Sequence, residues 1–369
     1  MIVANSNQPM ISRQDYAQIF LSDRPLVDLR APIEFVKGAF PRSVSLPLMS
    51  DDERAKVGTC YKQNGQQAAI TLGHQLVSGE NRAQKLKDWL LFIDKNPDVL
   101  FYCFRGGLRS RVTYGWLKEA GAAVPYIEGG YKGMRQYLIE QLESFPVKPM
   151  ILLSGMTGSG KTEVIGQLEN SIDLEQLAGH RGSSFGKQID NQPSQISFEN
   201  RLAVELLKWK QKQQRQLVLE SESRMIGRRA IPHSFFAKMK NAPRIRLVDS
   251  LDNRIARIFR EYVEEQLASY QSHYGEENGT LKFSESLFHS LDQIKKRLGG
   301  ANFSLAYKYM SDALASPYSV DRLKHQAWIR VLLENYYDPL YEKHNRQFME
   351  QTRFVGNREQ VLAWLQQNI

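Results

Sequence analysis

The sequence predicts an α/β protein of two domains: an N-terminal parallel-sheet domain over residues 1–145, then an α/β domain over residues 146–369 built on a phosphate-binding loop, with a largely helical C-terminal part. Three observations carry this reading. Short apolar runs alternate with helical patterns through the first 145 residues, and that alternation makes a mostly parallel sheet covered on both faces. A glycine-rich loop stands between an apolar run and a helical pattern at residues 155–162. The chain length, 369 residues, suits two domains of about 100–200 residues each.

The N-terminal elements follow in order. Pro25 to Arg30 (PLVDLR) reads as a buried strand, Ala31 to Gly38 as a short helix, and Ser43 to Leu46 as a second strand. Arg82 to Lys95 has apolar residues at helical spacing, Asp98 to Cys103 is a strand, and Arg109 to Ala120 a helix closed by Gly121. Val124 to Ile127 is a strand, Gly129 and Gly130 a turn, and Lys132 to Leu142 a helix. Two prolines in Ser144 to Pro149 mark the domain boundary.

The second domain opens with a strand at Met150 to Ser154. Leu217 to Glu220 and Ile245 to Asp249 are two further apolar runs ending in an acid. From about Leu251 the pattern is helical, with amphipathic stretches at Arg254 to Leu267 and Arg322 to Tyr337. The polar run Lys208 to Gln216 reads as a solvated helix end.

Composition bounds the function. With 42% apolar and 24% charged residues the chain is neither disordered nor short of core. The greasiest stretches, Val99 to Phe104 and Met150 to Leu153, are strand-sized, far below the ~20 residues a membrane helix needs, so no membrane role is expected. Met1 to Gln14 lacks the order of a secretory signal, and two cysteines make no disulfide framework, so a cytoplasmic location is expected. The net charge is +9, and residues 201–260 hold 15 basic and 5 acidic side chains, a local +10. A surface of that kind favours a polyanionic partner, against the plainer reading of solvated amphipathic helices.

Gly155 to Thr162 reads GMTGSGKT, a full match to the phosphate-loop pattern in the required strand-to-helix setting. Gly155, Thr157, Gly158, Ser159 and Gly160 let the backbone curl so that amides converge on a phosphate. Lys161 reaches the terminal phosphates, and the Thr162 hydroxyl is placed to ligate Mg²⁺. The acid that assists it is open between Glu220 and Asp249, and salt-bridging is an equal reading for each.

Tyr102 to Arg111 reads YCFRGGLRSR, with Cys103 ending an apolar strand just before a helix. Loop amides at Gly106 and Gly107, the helix start, Arg105 and Arg109 should favour the thiolate, the form that attacks or carries a group. The competing reading of a strand-end cysteine is inert core filling. Cys60 reads as structural or as a second thiol. No metal-ligand spacing is visible, and His74, His180 and His233 read as surface or hydrogen-bonding residues.

The run VDLRAPIEFVKGAFPRSVSLPL at Val27 to Leu48, followed by the Cys103 loop, resembles a rhodanese domain, whose loop cysteine carries sulfur or selenium. The loop CFRGGLRS, the stretch GTCYKQNGQQAAITLGHQLV at Gly58 to Val77, and a phosphate loop directly behind a rhodanese unit resemble the tRNA 2-selenouridine synthase family, also described as 2-thiouridine geranyltransferases and selenotransferases. That resemblance spans nearly the whole chain. It implies modification of the wobble uridine of tRNAs for Lys, Glu and Gln: S-geranylation of 2-thiouridine with geranyl diphosphate, then exchange for selenium from selenophosphate, which a selenophosphate-supplying enzyme would deliver. It also implies Cys103 as the catalytic cysteine and Gly155 to Thr162 as a diphosphate site. Gly106, Gly107 and two arginines depart from an ordinary rhodanese loop and argue against simple thiosulfate chemistry. With the assisting acid open between Glu220 and Asp249, no clear apolar-run-plus-Asp motif stands out after the loop, which argues against nucleotide hydrolysis.

On these expectations tRNA lies across the +10 segment, with Trp209, Phe235 and Phe236 available for stacking. Core placement of each aromatic is the plainer reading. Two other functions compete: a sulfurtransferase fused to a small-molecule kinase, and a nucleotide-dependent RNA-binding protein with the first domain as scaffold.

Overall fold

A computed structural model describes residues 10–145, 150–212, 216–315 and 321–368. Most of the expected boundary segment Ser144 to Pro149 lies outside these residues, as do residues 213–215 of the polar run. The chain divides into two compact units, residues 1–145 with 194–210, and residues 146–193 with 211–369.

The first unit holds β1 (Met10–Ile11), β2 (Leu26–Asp28), β3 (Ser43–Ser45), β4 (Leu100–Tyr102) and β5 (Tyr126–Ile127) in the order β1-β5-β4-β2-β3, every neighbouring pair parallel. Val27, Leu29, Phe101, Trp89 and Trp116 pack into one apolar core, with the Trp89 and Trp116 rings stacked at 6.3 Å. Asp28 and Arg30 are fully buried and satisfy each other at 2.6 Å; the Arg30 guanidinium also donates to Gly38 O and lies 3.6 Å from the Tyr131 ring centroid. A 26-residue helix, Asp51–Leu76, was not legible in the sequence. Its start is a capping box: Ser50 Oγ accepts from Glu53 N at 3.2 Å, and Glu53 Oε2 accepts from Ser50 N at 2.7 Å. Gly65, at φ +79°, kinks it.

The helix Gln195–Gln211, expected in the second domain, falls almost entirely with the first unit. The physical reason is a polar seam. Ala39 N donates to Ser197 Oγ, Asn200 Nδ2 donates to Ala39 O, and Arg135 donates to Asn200 Oδ1 and pairs with Glu199.

The second unit holds β6 (Met150–Gly155), β7 (Ser171–Ile172), β8 (Leu217–Glu220), a hairpin of β9 (Met225–Ile226) and β10 (Arg229–Ala230), β11 (Arg244–Leu247) and β12 (Thr352–Gly356). Its main sheet runs β12-β11-β6-β8-β7 and is parallel throughout. The phosphate-loop strand β6 is thus central, flanked by β8 and β11. The helical part expected from Leu251 is present and has its own core around Phe259, Phe283, Leu291, Met310 and Trp328. The first amphipathic stretch is interrupted by a single π turn at Arg260–Glu264, and the second ends in one at Leu333–Tyr337. β12, late in the chain, was not expected; it closes the edge beside β11, and the helix Arg358–Asn368 buries Val361 and Leu365 in the sheet core. Among the described residues no helix is long and apolar enough to cross a membrane.

Candidate functional site

Cys103 follows β4 and is only 3% exposed, among apolar neighbours that include Val27, Leu29 and Phe101. The loop after it is latched to the helix Gly130–Glu143: Tyr131 N donates to Cys103 O at 2.8 Å and Lys132 N to Phe104 O at 2.9 Å. Gly106 is required here. At φ +64°, a Cβ would stand 2.4 Å from Ile127 O. Gly107 precedes the first residue of the helix Leu108–Glu119 without a side-chain cap.

The two loop arginines have different fates. Arg105 is exposed, its guanidinium 5.8 Å from the Phe104 ring. Arg109, expected beside the sulfur, pairs with Glu34 at 2.9 Å, and Glu34 also takes Arg54 at 3.0 Å. Two guanidinium groups hold the Glu34 carboxyl below its ordinary pKa despite its partial burial, so Arg109 already has a counter-ion. Cys60 is a half-buried residue in the helix Asp51–Leu76, with Asn64 Nδ2 at 3.8 Å from its sulfur.

In the second unit, β6 feeds the loop and the short helix Lys161–Ile165. Gly158 and Gly160 sit at φ +77° and +88°; a Cβ on Gly158 would come within 2.7 Å of Ile258 Cδ1. Arg254 Nε donates to Thr157 O at 2.9 Å and Arg257 Nη1 to Gly158 O at 2.6 Å. Trans peptide geometry then turns the Gly158 N–H away from Arg254. Arg254 is itself fixed by a bidentate contact to Asp338. Ser159 is set differently from its neighbours: it is 3% exposed, its hydroxyl has no partner among the described residues, and it lines a separate cavity with Met156 and Arg246.

Thr157, Gly158, Gly160, Lys161 and Thr162 line a cavity of about 440 Å³, and the facing wall is acidic. Thr162 Oγ1 donates to Glu220 Oε1 at 3.0 Å. Glu175, Glu220 and Glu222 each bring a carboxylate oxygen within 4.8 Å of the others. Burial first, then mutual repulsion, pushes Glu220 up to about 8 and Glu175 and Glu222 to about 7. Burial acts to lower the Lys161 pKa, but Tyr341, Glu220, Glu222 and Glu175 together raise it, so Lys161 stays cationic. The Lys161 ammonium lies 5.8 Å from the Tyr341 ring centroid.

Of the two candidate acids, Glu220 therefore adjoins the loop threonine. Asp249 lies two residues past β11 and is held by Arg257 at 2.9 Å, Asn253 and the Ser250 amide. Glu175, Glu222 and Tyr341 were missed by sequence reasoning. Glu222 had one usable signal, its place two residues beyond the strand-end acid; the other two reach the site only through the fold.

The +10 segment is not one continuous basic surface. Its first helix belongs with the first unit, Lys208 pairs with Asp23 and Glu205, and Arg254, Arg257 and Arg260 are paired with acids. Trp209 and Phe235 are buried core side chains, which removes them as stacking platforms; Phe236 is half-buried with the Lys240 ammonium 5.3 Å from its ring.

A parallel sheet bearing a strand-end cysteine loop, joined in one chain to a central-strand phosphate loop, defines a two-unit transferase of rhodanese and phosphate-loop parentage. Residues 12–137 match the rhodanese-like domain, and residues 148–369 match the family described as the tRNA 2-selenouridine synthase AAA domain. The chain is 50% identical over 358 residues to the tRNA 2-selenouridine synthase of Shewanella oneidensis, covering 96% of this chain and 95% of that protein. It is 49% identical to the one of Shewanella frigidimarina, covering 96% and 98%, and 48% identical to the one of Shewanella pealeana, covering 96% and 98%. The chain belongs to the tRNA 2-selenouridine synthase family, as its motifs led us to expect.

Proposed function

We propose that this enzyme converts 2-thiouridine at the wobble position of tRNAs for Lys, Glu and Gln into 2-selenouridine through an S-geranyl intermediate, using geranyl diphosphate and then selenophosphate, in the cytoplasm. A selenophosphate-supplying enzyme is the upstream partner in this reading. The observation that carries it is the phosphate loop facing three crowded carboxylates across one cavity.

That cavity suits a diphosphate. Lys161 supplies a fixed positive charge, and Gly158 and Gly160 let the loop curl closely against Ile258 and Arg257. The acidic wall is wrong for a bare diphosphate: three crowded carboxylates share one cation, Lys161, which lowers their pKa values by less than burial and mutual repulsion raise them. Thr162, Glu220, Glu222 and Glu175 are an all-oxygen set that fits Mg²⁺. Bound there, Mg²⁺ would neutralise charge on the departing diphosphate. Arg257 and Arg260 hold Glu163, on the loop helix, at 3.3 and 2.7 Å and keep that helix in place.

In the first unit, Cys103 is the residue proposed to handle selenium. Its burial requires the Phe104 to Gly107 loop to shift before sulfur meets a substrate. Arg105, exposed at the loop, is the cation available to the selenophosphate anion, because Arg109 is held by Glu34.

The test is direct. The protein is incubated with thiolated tRNA, geranyl diphosphate, selenophosphate and Mg²⁺, and the digested tRNA is read by mass spectrometry. Sequential S-geranyl-2-thiouridine and 2-selenouridine are expected; unchanged 2-thiouridine from folded protein defeats the reading.

A further inference from the structure

One cavity has no part in the steps above. It lies in the first unit between the helices Asp51–Leu76 and Leu108–Glu119, has a volume of about 350 Å³, and is lined by Leu48, Val57, Ile70, Leu108, Val112 and Trp116. Small residues make the space: Ala69 and Gly73 lie on its wall, and a Cβ on Gly73 would meet only Val57 Cγ2, at 3.8 Å. Tyr61 and Leu108, 56% and 42% exposed, leave its mouth apolar. Among the described residues Arg109 is the one Lys or Arg in its lining.

We propose that this cavity binds the geranyl chain while it is attached to the RNA base, presenting S-geranyl-2-thiouridine to the Cys103 loop. The inference rests on the S-geranyl intermediate proposed above and makes or breaks no bond. Position comes first: the helix that forms one wall begins at Leu108, directly after the Cys103 loop, so the cavity is built on the element into which that loop leads. Size comes next. Ligand cavities run from about 300 to 1,000 Å³, and this one stands at the small end, suited to a single branched chain.

Polarity decides the chemical form. The lining is mostly apolar, with Tyr61, Gln66, His74 and Arg109 as its polar members, so it gains by burying hydrocarbon and offers few hydrogen-bond partners to a base or phosphate. A diphosphate would need cations here, yet Arg109 is already paired with Glu34 at 2.9 Å. The chain therefore arrives as a neutral thioether on RNA, while the free diphosphate ester is the substrate of the other unit's loop.

The test uses the full-length protein and three anticodon stem-loop RNAs carrying 2-thiouridine, S-dimethylallyl-2-thiouridine or S-geranyl-2-thiouridine at the wobble position. Binding is measured by fluorescence anisotropy. The geranyl RNA should bind about tenfold or more tighter than the thio RNA, with the dimethylallyl RNA between them. Gly73→Phe, which fills the cavity, should bring the geranyl-to-thio affinity ratio within about twofold of unity. If that variant melts early, Ala69→Leu reads the same ratio.

Equal affinity of the wild type for geranyl and thio RNA overturns the proposal. So does a preference that survives in a folded cavity-filling variant. Selenation of geranyl RNA by selenophosphate is scored separately: turnover without any binding preference sinks the pocket but keeps the proposed function. A preference that depends on the cavity, with no turnover, keeps the pocket and sinks the function.

Discussion

Thr162 Oγ1 stands 3.0 Å from Glu220 Oε1, joining the residue after the loop lysine to the last residue of the neighbouring strand β8. The contact puts Glu220, of the two candidate acids, beside the phosphate loop. Across the parallel pairing of β6 with β8, Leu153 lies opposite Glu220, so the end of β8 is carried to the start of the loop. The other candidate, Asp249, is consumed by Arg257.

Glu220→Gln should preserve the fold, since the amide is of similar size and its oxygen still accepts from Thr162. It removes a ligand from the proposed cation site. Mg²⁺-dependent binding of geranyl diphosphate, followed by calorimetry, should weaken by about 10–100-fold, the range for removing support from a metal site. Unaltered Mg²⁺-dependent affinity would remove Glu220 from that role.

The pH dependence of stability follows from the raised acids. Glu175, Glu220 and Glu222 sit at about 7, 8 and 7 in the folded chain, above their ordinary value of about 4.3 when unfolded. Between those limits the native state binds more protons than the unfolded one, so stability is fully present below about pH 4 and is lost as pH rises toward 8. Without metal, the melting temperature should fall from pH 5 to pH 8. Added Mg²⁺ should recover it most at the upper end, and a melting temperature that rises over this window would contradict the acid cluster.

Cys103 and Cys60 should differ in reactivity. A mild alkylating reagent should label half-buried Cys60 first, and Cys103, 3% exposed, at least tenfold more slowly, as read by peptide mass spectrometry. Cys103→Ala should abolish selenium incorporation while tRNA binding persists. Selenation by that variant at the wild-type rate would show that the thiol is dispensable.

The buried pair in the first unit carries a stability prediction. Asp28→Ala leaves the Arg30 guanidinium, 2% exposed, without its carboxylate and should cost about 3–5 kcal/mol in urea unfolding. Asp28→Asn, which keeps an acceptor, should cost less. A loss below about 1 kcal/mol for the alanine variant would mean that water reaches Arg30.

Much of the architecture was legible because it is written in short spacings. The apolar runs ending at Asp28, Tyr102, Gly155 and Glu220, the glycines of GMTGSGKT, and the strand-loop-helix order around Cys103 each lie within about ten consecutive residues, where backbone preference and side-chain period act directly. The same local patterns tied the chain to its family. The long helix Asp51–Leu76 was less readable because one face borders a cavity and the other solvent, leaving Ala69 as its fully buried residue and little apolar periodicity.

Tertiary structure decided what depends on residues far apart in the chain. It gave Arg109 to Glu34, took Trp209 and Phe235 into cores, and brought Tyr341 from the C-terminal helices to Lys161. Whether a charge is free or paired, and an aromatic exposed or buried, is set by which distant segment packs against it, and no spacing along the chain encodes that. The sequence by itself determined the two chemical loops; the packed sheets determined which acid, which arginine and which apolar cavity stand beside them.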